Sequence, residues 1–396
     1  MIAVEEALAL VLENSFILKE TETLPINQCL NRNLAKAVKA PIDLPSFRLS
    51  SMDGYALCLH QPNSYSIVGE VKAGDVGNPS LKIGECVRIF TGAVVPDDAD
   101  AVIMQEKTIR KQNTITIDTP VHKNQNIRLT GSQVKKGDFP LEKGQVLQPS
   151  SLAFLQSLGI SEVEVTRLPK ITLILTGNEL VDPTKKLTRG KIYESNSILL
   201  KAALNQQEIE PEIVSFTEDS LETTINTLKK AFLTADVVLV SGGISVGEYD
   251  FVKEALEALE VEEIFYKVRQ RPGKPLFFGK KGRKFIFALP GNPASTLSCF
   301  YVYVIPFIIR LKGGKSDGLI RVSIPLAHDF KSAEPRALFL KATVQNKTVQ
   351  ILDGQHSSML VSFAMANALV YVPELGVLLK KGSLVETILL PNTILT

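Results

Sequence analysis

The 396-residue chain is predicted to be a multidomain α/β plus β protein, and three observations support this. The chain is longer than one domain usually is, since domains average roughly 150 residues. Strand-like and helical segments alternate over residues 169–314, which is typical of a parallel-type sheet covered by helices on both faces. Short alternating runs, punctuated by proline and glycine, fill residues 41–130 and 315–396 and favour two smaller β modules.

The N-terminal segment, residues 2–40, is expected to be helical. Apolar residues recur there at helical spacing: Val4, Ala7, Leu8, Val11 and Leu12. A mixed run with one short helix follows over residues 131–168. The simplest arrangement is a discontinuous helical base domain, residues 1–40 and 131–168, that carries residues 41–130 as an inserted β module.

The α/β domain is assigned to residues 169–314 and a small C-terminal β barrel to residues 315–396. Strands are predicted at Ile171–Thr176, Pro211–Phe216, Asp236–Ser241, Glu263–Lys267 and Lys284–Leu289. Helices are predicted at Asn196–Gln206, from Asp219 onward, at Tyr249–Leu259 and at Pro293–Leu311. Asp219, with Glu222 three residues later, resembles a capping box.

Composition argues against several classes of protein. The net charge of +2 gives no whole-chain reason to expect a nucleic-acid partner. The most apolar stretch, Cys299–Ile309, is too short to span a bilayer and is interpreted as a buried helix, so no membrane partner is expected. The four cysteines form no C-x-x-C pair, which fits neither a zinc site nor a disulfide framework. Together with the acidic N-terminus, this favours a cytoplasmic location.

The loop S-G-G-I-S-V-G-E-Y-D leaves one predicted strand and enters a helix. Ligands of parallel sheets bind at the carboxyl ends of the strands. Glycines allow close backbone approach there, and a helix N-terminus offers free N–H groups to an anion. Gly242, Gly243 and Ser245 are therefore a candidate phosphate cradle, with a tight turn packed on the sheet as an equal alternative. Asp250 could simply cap the helix.

A second loop, T-G-N-E-L, places Glu179 at the end of the first strand of the domain. Glu179 is expected to point into the same crevice as Asp250. Two carboxylates at one sheet edge can hold a Mg²⁺ ion that keeps most of its waters. The alternative is a pair of solvated loop acids.

Two further loops follow strands near the same edge. R-P-G-K-P brings Arg271 and Lys274 close to Lys267, and a stiff basic loop suits an oxyanion or a polyphosphate; the alternative is a solubilising loop. In L-P-G-N-P-A-S, Asn292 suits a helix N-cap and Pro293 the first helical turn. Capping alone would explain Asn292, although the backbone there also offers a second anion site.

Taken together, the motifs resemble those of the MoeA-type molybdopterin molybdenumtransferases, a family that includes the gephyrin E domain and the plant Cnx E domain. The resemblance covers essentially the whole chain. Eight segments carry it in order: SMDGYA (51–56), RIFTGAVVPDDADAVIMQE (88–106), NIRLTG (126–131), TGNEL (176–180), SGGISVGEYD (241–250), RPGKP (271–275), LPGNPAS (289–295) and MANAL (365–369). Each segment is weak alone, but eight in order are highly specific.

The resemblance implies a function and an assembly. Members of this family insert molybdate into adenylylated molybdopterin, use Mg²⁺ and release AMP. It also implies an L-shaped homodimer with a cleft built from two subunits. The α/β domain would resemble that of the molybdopterin adenylyltransferase. That enzyme and molybdoenzyme-maturation proteins are the expected partners besides a second copy of the chain.

The resemblance also assigns residues. Asp53, Glu179 and Asp250 match functional acids and are the expected metal ligands, and with Lys274 they form the expected catalytic set. The expected substrate-binding set is Thr91, Arg128, Asp219, Gly242, Gly243, Ser245, Lys267, Arg271, Pro275, Asn292 and Ser295. For Asp53, the roles of metal ligand and of base toward water both stay open.

Four positions depart from the family pattern, and one of them is Asp97, which replaces a frequent glycine in a turn. Gln133 stands where an acid is common and cannot carry a negative charge. Arg271 stands where a lysine is common, and Lys341 aligns with a frequent arginine of the last domain. Two other functions therefore stay open: the related MgATP-dependent adenylyltransferase step, and a non-catalytic scaffold. Retention of Asp53, Glu179 and Asp250 argues against a purely structural role.

Overall fold

A computed structural model describes residues 1–215, 220–244, 251–316, 318–373, 377–391 and 393. The chain divides into two compact units. One unit contains residues 1–22 and 166–396, and the other contains residues 23–165.

The N-terminal helix is shorter than expected. It spans Val4–Glu13 and buries Val4, Ala7 and Val11, as the apolar stripe predicts. The prediction that residues 2–40 are helical is wrong beyond this point, because Thr21–Pro25 is a strand and Ile26–Gln28 is a single 3₁₀ turn. The strand sequence T-E-T-L-P is rich in β-branched threonine and ends in proline, and both features disfavour a helix.

The unit of residues 23–165 is built on a six-stranded sheet. Its strands, in spatial order, are Ala101–Met104, Gly54–Leu57, Glu85–Ile89, Ser64–Val71, Thr114–Ile117 and Thr108–Lys111. Leu49–Ser50 pairs with Ile127–Arg128, and the helix Pro149–Ser157 and the strand Glu162–Thr166 follow. The short β runs predicted between residues 41 and 130 are present here.

The other unit contains a second six-stranded sheet, in the α/β region. Its strands, in spatial order, are Glu212–Ser215, Ile171–Leu175, Val237–Ser241, Lys284–Leu289, Phe277–Lys281 and Glu262–Tyr266. The first four are mutually parallel, as expected. Phe277–Lys281 is an unexpected antiparallel strand that turns through Gly282, whose φ is +62°, into Lys284–Leu289. Leu180–Val181 and Ile192–Tyr193 form a separate small pair.

Helices cover both faces of this sheet. They are Asn196–Asn205, Leu221–Thr234, Val252–Ala258, Pro293–Cys299 and Ile305–Leu311. The N-cap of Leu221–Thr234 is Ser220, whose hydroxyl accepts from the Thr223 amide at 3.2 Å. Asp219, on which a capping box is expected, lies outside the described residues. Residues 293–311 are the one stretch of the described residues long and apolar enough to cross a membrane, and 83% of the tested window is buried inside the protein. This agrees with its interpretation as a core helix.

The C-terminal region forms the expected small barrel. Its elements are Arg321–Pro325, Phe330–Ser332, Ala337–Gln345, Thr348–Ile351, the helix Leu360–Met365, Ala368–Val372, Val377–Leu379 and Leu384–Leu389. A bridge between Leu326 and Val349 closes the ring of paired strands. The two-residue strand Gln270–Arg271 leaves the α/β region and pairs in parallel with Ala337–Leu338 of this barrel.

Candidate functional site

A cleft of about 780 Å³ opens at the carboxyl ends of the parallel strands. Three of the loops singled out in the sequence meet in it, contributing Gly177–Glu179, Gly242–Gly243 and Gly291–Asn292. This is where ligands of parallel sheets bind, because the loops that follow neighbouring strands converge there.

Gly242 is packed where no other residue fits without strain. Its φ is +96°, and an added Cβ would lie 2.6 Å from the hydroxyl oxygen of Thr176 and 2.7 Å from the carbonyl oxygen of Thr176. Gly243 has φ +63° and comparable crowding against Val252. The turn therefore packs directly against Thr176 at the end of the neighbouring strand, and both glycines also line the cleft. Ser245, Asp250 and Asp219 lie outside the described residues.

Glu179 lies exposed in the same cleft. Its carboxylate folds back over Gly177, where an added Cβ would come within 2.7 Å of Glu179 Oε2. It makes no ion pair with any described residue, so both of its oxygens keep lone pairs for a cation. Within the described ranges no group of three or more His, Cys, Asp or Glu side chains could hold a metal ion. Glu179 is therefore a single exposed carboxylate in the cleft, and Mg²⁺ is a cation that binds through few protein ligands and keeps most of its waters.

A smaller basic pocket of about 250 Å³ adjoins the cleft. The two cavities share Pro275, Pro290 and Asn292. The polar residues that line the small pocket are Gln270, Arg271, Lys274, Asn292, Ser295, Arg336, His356 and Ser357. Three of these side chains are cationic at neutral pH, so the pocket has the chemistry of a small oxyanion site.

Glu334 orients the two arginines of the basic pocket. It accepts from Arg336 Nε at 2.7 Å and from Arg271 Nη1 at 3.0 Å. The hydrogen bond from Arg336 and then the one from Arg271 hold the pKa of Glu334 below its usual value, although its partial burial opposes them. The pairing of Gln270–Arg271 with the barrel strand Ala337–Gln345 brings these arginines together.

Asn292 is at the predicted N-cap, but its side chain does not cap the helix. Its amide nitrogen instead donates to the Ser357 hydroxyl at 3.0 Å and so joins the α/β loop to the barrel. Ser295, one turn into the helix, is only 2% exposed at the pocket wall.

The Lys267 side chain lines neither cavity. Its ammonium lies 4.5 Å from the centre of the Tyr266 ring, and its backbone φ is +67°. The structure therefore does not bring Lys267 together with Arg271 and Lys274.

Lys341 is also outside the pocket: it is 2% exposed, and its ammonium donates to the carbonyls of Gly354, His356 and Met359. These bonds hold the loop that carries Ser357.

Asp53, the acid of the SMDGYA segment, lies in the unit of residues 23–165. Asp53 Oδ1 accepts from the Thr91 amide at 2.8 Å and from the Thr91 hydroxyl at 2.7 Å. The next residue, Gly54, is wedged against the neighbouring strand, because an added Cβ there would lie 1.8 Å from the carbonyl oxygen of Ile103. Arg128 follows Ile127 in the strand paired with Leu49–Ser50, and the Ser50 amide donates to Ala93 in the Thr91 turn. Gln133 is exposed on the same unit.

Sequence reasoning missed four residues. Asn196 donates to the Ser241 hydroxyl at 2.8 Å and to the Gly291 carbonyl at 2.7 Å, and so joins two loops of the cleft. Its neutral side chain gave no signal in the segment K-I-Y-E-S-N. Arg336, His356 and Ser357 come from the barrel, whose loops contain no glycine-rich or repeated pattern to mark them.

Comparisons with known proteins cover nearly the whole chain. Family models match the MoeA N-terminal region (domain I and II) at residues 2–159, a probable molybdopterin binding domain at residues 172–310, and the MoeA C-terminal region (domain IV) at residues 323–390.

Individual relatives agree with these models. A molybdopterin molybdenumtransferase of Staphylococcus aureus is 34% identical over 93% of this chain and 90% of its own. A molybdopterin molybdenumtransferase of Staphylococcus epidermidis is 31% identical over 98% of this chain and 95% of its own. The crystal structure of a molybdopterin biosynthesis MoeA protein from Pyrococcus horikoshii OT3 superposes with a TM-score of 0.83 at 29% identity, covering 98% of this chain and 100% of that one. The chain belongs to the MoeA family of molybdopterin molybdenumtransferases.

Proposed function

We propose that this protein inserts molybdate into adenylylated molybdopterin, with Mg²⁺, and releases AMP. The observation that carries the proposal is the pair of adjoining cavities in one unit: a glycine-lined cleft and a small pocket with three cationic side chains. An insertion reaction needs this combination, because a phosphorylated pterin and a small oxyanion must be bound side by side.

The cleft supplies the pterin site. Gly242 and Gly243 line the cleft and present no side chain to it, and Asn292 precedes a helix whose N-terminal amides favour negative charge. Asn196 fixes the distance between these loops through its two hydrogen bonds. Ser245 belongs to the same glycine-rich loop and is proposed to contribute its hydroxyl.

The basic pocket supplies the oxyanion site. Arg271, Lys274 and Arg336 surround a space of about 250 Å³, which suits a compact dianion such as molybdate. Guanidinium groups bind oxyanions through paired N–H donors, and an ammonium adds a mobile point charge. The same charges stabilise negative charge that develops on the phosphate when AMP leaves.

The acids are proposed to hold Mg²⁺. Glu179 offers an exposed carboxylate in the cleft, with Asp250 as its proposed partner. Bound Mg²⁺ would neutralise phosphate oxygens and polarise the phosphoanhydride. Asp53 is kept ionised by its two hydrogen bonds from Thr91, so the role of cation ligand is favoured over that of general base.

The assembly and location are proposed on the same family basis. The protein is expected to act as a homodimer in the cytoplasm and to receive its substrate from a molybdopterin adenylyltransferase. All four cysteines are free thiols, which agrees with a reducing compartment. A division into base, inserted β module, α/β domain and barrel is likewise proposed.

The experiment that tests the function is AMP release by the purified protein. The full reaction contains adenylylated molybdopterin, Mg²⁺ and molybdate, and each is left out in turn. Release that needs all three supports insertion. Turnover of free molybdopterin with MgATP would indicate the adenylyltransferase step instead, and tight pterin binding with no turnover in either mixture would indicate a scaffold.

A further inference from the structure

The basic loop Arg271–Pro275 rests directly on two buried side chains. Gly273, at its centre, has φ +87°, and an added Cβ would lie 2.4 Å from Cys299 Sγ and 2.9 Å from Gln270 Nε2. The backbone of the loop therefore lies against these atoms with no space between them. A movement of Gln270 or Cys299 toward the loop would therefore push on the backbone beside Lys274.

Gln270 is the polar part of this support. It is 1% exposed, and its amide nitrogen donates to the Gly273 carbonyl at 3.2 Å and to Cys299 Sγ at 3.4 Å. Its amide oxygen accepts a hydrogen bond from the Tyr303 hydroxyl. Burial raises the pKa of the Cys299 thiol to about 12, so Cys299 serves as a neutral packing group rather than as a nucleophile.

Tyr303 fixes the other end of Gln270. It is fully buried and lies in the π-helical turn Phe300–Val304, which interrupts the long core helix between Pro293–Cys299 and Ile305–Leu311. Such turns redirect side chains and are frequent near functional sites. A buried hydroxyl costs free energy unless it is bonded, and phenylalanine would fill the same space without that cost. The bond to Gln270 accounts for a tyrosine at this position.

We propose that Tyr303 and Gln270 are positioning residues that hold the Arg271–Pro275 loop, and through it the Lys274 ammonium, in the geometry that binds the oxyanion. The connection runs from the Tyr303 hydroxyl to the Gln270 amide, from that amide to the Gly273 carbonyl, and along one peptide bond to Lys274. This inference rests on the proposed function, since it takes molybdate as the anion of the basic pocket.

The test compares Tyr303→Phe with Tyr301→Phe. Tyr301 lies in the same π-helical turn and is 8% exposed, and its hydroxyl bonds to no described residue. Each variant removes one hydroxyl from a buried ring, so general effects on packing are matched. Molybdate binding is measured by equilibrium dialysis and pterin binding separately. Tyr303→Phe is expected to raise the Kd and KM for molybdate roughly three- to tenfold. Its kcat at saturating molybdate and its pterin affinity should match those of Tyr301→Phe.

A double variant tests the route through Lys274. If Tyr303 acts by positioning Lys274, adding Tyr303→Phe to Lys274→Ala should cost little further molybdate affinity. Additive losses would overturn the inference, and so would equal molybdate affinity in Tyr303→Phe and Tyr301→Phe. Failure of the wild-type protein to bind molybdate would contradict the proposed function instead, so the two failures are distinguishable. Gln270→Met provides a second, isosteric variant and should shift molybdate affinity in the same direction.

Discussion

Thr91 holds Asp53 through two hydrogen bonds to one carboxylate oxygen, from its amide at 2.8 Å and from its hydroxyl at 2.7 Å. The amide contributes most, then the hydroxyl, and Arg88 adds a smaller effect that also lowers the pKa of Asp53. A carboxyl group whose pKa lies below its usual value stays ionised at neutral pH and is a weak base. The geometry therefore favours Asp53 as a fixed negative charge for a cation.

Thr91→Val tests this relationship. The substitution removes the hydroxyl donor and keeps the amide donor, so the pKa of Asp53 should rise toward its usual value. With ionised Asp53 as the proposed active form, the acidic limb of the kcat/KM profile should move to higher pH. Activity at neutral pH should change little, because the ordinary pKa of an aspartate is about 4 and Asp53 stays ionised there in both proteins. Thr91→Ser keeps the hydroxyl and should behave like wild type. Superimposable pH profiles for Thr91→Val and wild type would contradict the assignment.

Gly242→Ala tests the phosphate cradle. The new Cβ would combine a φ of +96° with an approach of 2.6 Å to the Thr176 hydroxyl. We expect affinity for adenylylated molybdopterin, measured by calorimetry, to drop about tenfold or more. Gly190→Ala is the matched control, because Gly190 lines the same cleft at φ +83° with nothing within 4 Å of an added Cβ. Equal losses in the two variants would mean that backbone strain alone, and not the close approach, sets the affinity.

Arg336→Ala tests the oxyanion pocket. Charge-assisted hydrogen bonds contribute about 1.5–3 kcal/mol, so the KM for molybdate should rise roughly tenfold or more while pterin affinity is kept. The control is Arg321→Ala, which removes a barrel arginine that pairs with Glu386 at 2.6 Å and lies outside the pocket. An unchanged KM for molybdate in Arg336→Ala would show that Arg336 does not contribute to the oxyanion site.

Asp236→Asn tests the ion pair between Arg167 and Asp236, which directly precedes the strand Val237–Ser241. Arg167 donates to the two carboxylate oxygens of Asp236 at 2.6 and 3.0 Å, and the Lys170 amide donates at 2.8 Å. Burial raises the pKa of Asp236, but these donors outweigh burial and the net pKa lies below the usual value. The ion pair therefore contributes its full stabilisation at every pH above the ordinary pKa of an aspartate. This contribution is lost as the pH falls through the lowered pKa that Asp236 has in the folded protein.

Asp236→Asn should lower the free energy of unfolding by about 1.5–3 kcal/mol near pH 7. Denaturant titrations should show this difference shrinking as the pH falls below about 4. Asp329→Asn, which breaks an exposed pair with Lys380, should change stability much less. A deficit in Asp236→Asn that stays constant with pH would show that the carboxylate charge is not responsible.

The parts of the site with local signatures were predictable from sequence. Glycine and proline mark the loops after Ile171–Leu175, Val237–Ser241 and Lys284–Leu289, and the parallel arrangement of those strands dictates that the loops meet. The core helix of residues 293–311 followed from its length and apolar composition.

The remaining features depend on long-range pairing, which leaves no local signal. Nothing in Gln270–Arg271 shows that it joins the C-terminal barrel and so places Arg271 beside Arg336. For the same reason the Asn292 side chain was expected to cap a helix, whereas it bonds to Ser357, 65 positions later in the chain. The buried anchors Gln270 and Lys341 resemble ordinary loop and strand residues until their partners are seen.

The most direct test of the proposed insertion reaction is to measure AMP release and molybdenum bound to the pterin product in the same reaction. Coupled insertion predicts one AMP released for each molybdenum inserted, with neither product formed when molybdate is omitted, and the same one-to-one ratio at lower yield in Arg336→Ala. AMP release that continues unchanged without molybdate, or a pterin product that contains no molybdenum, would contradict it.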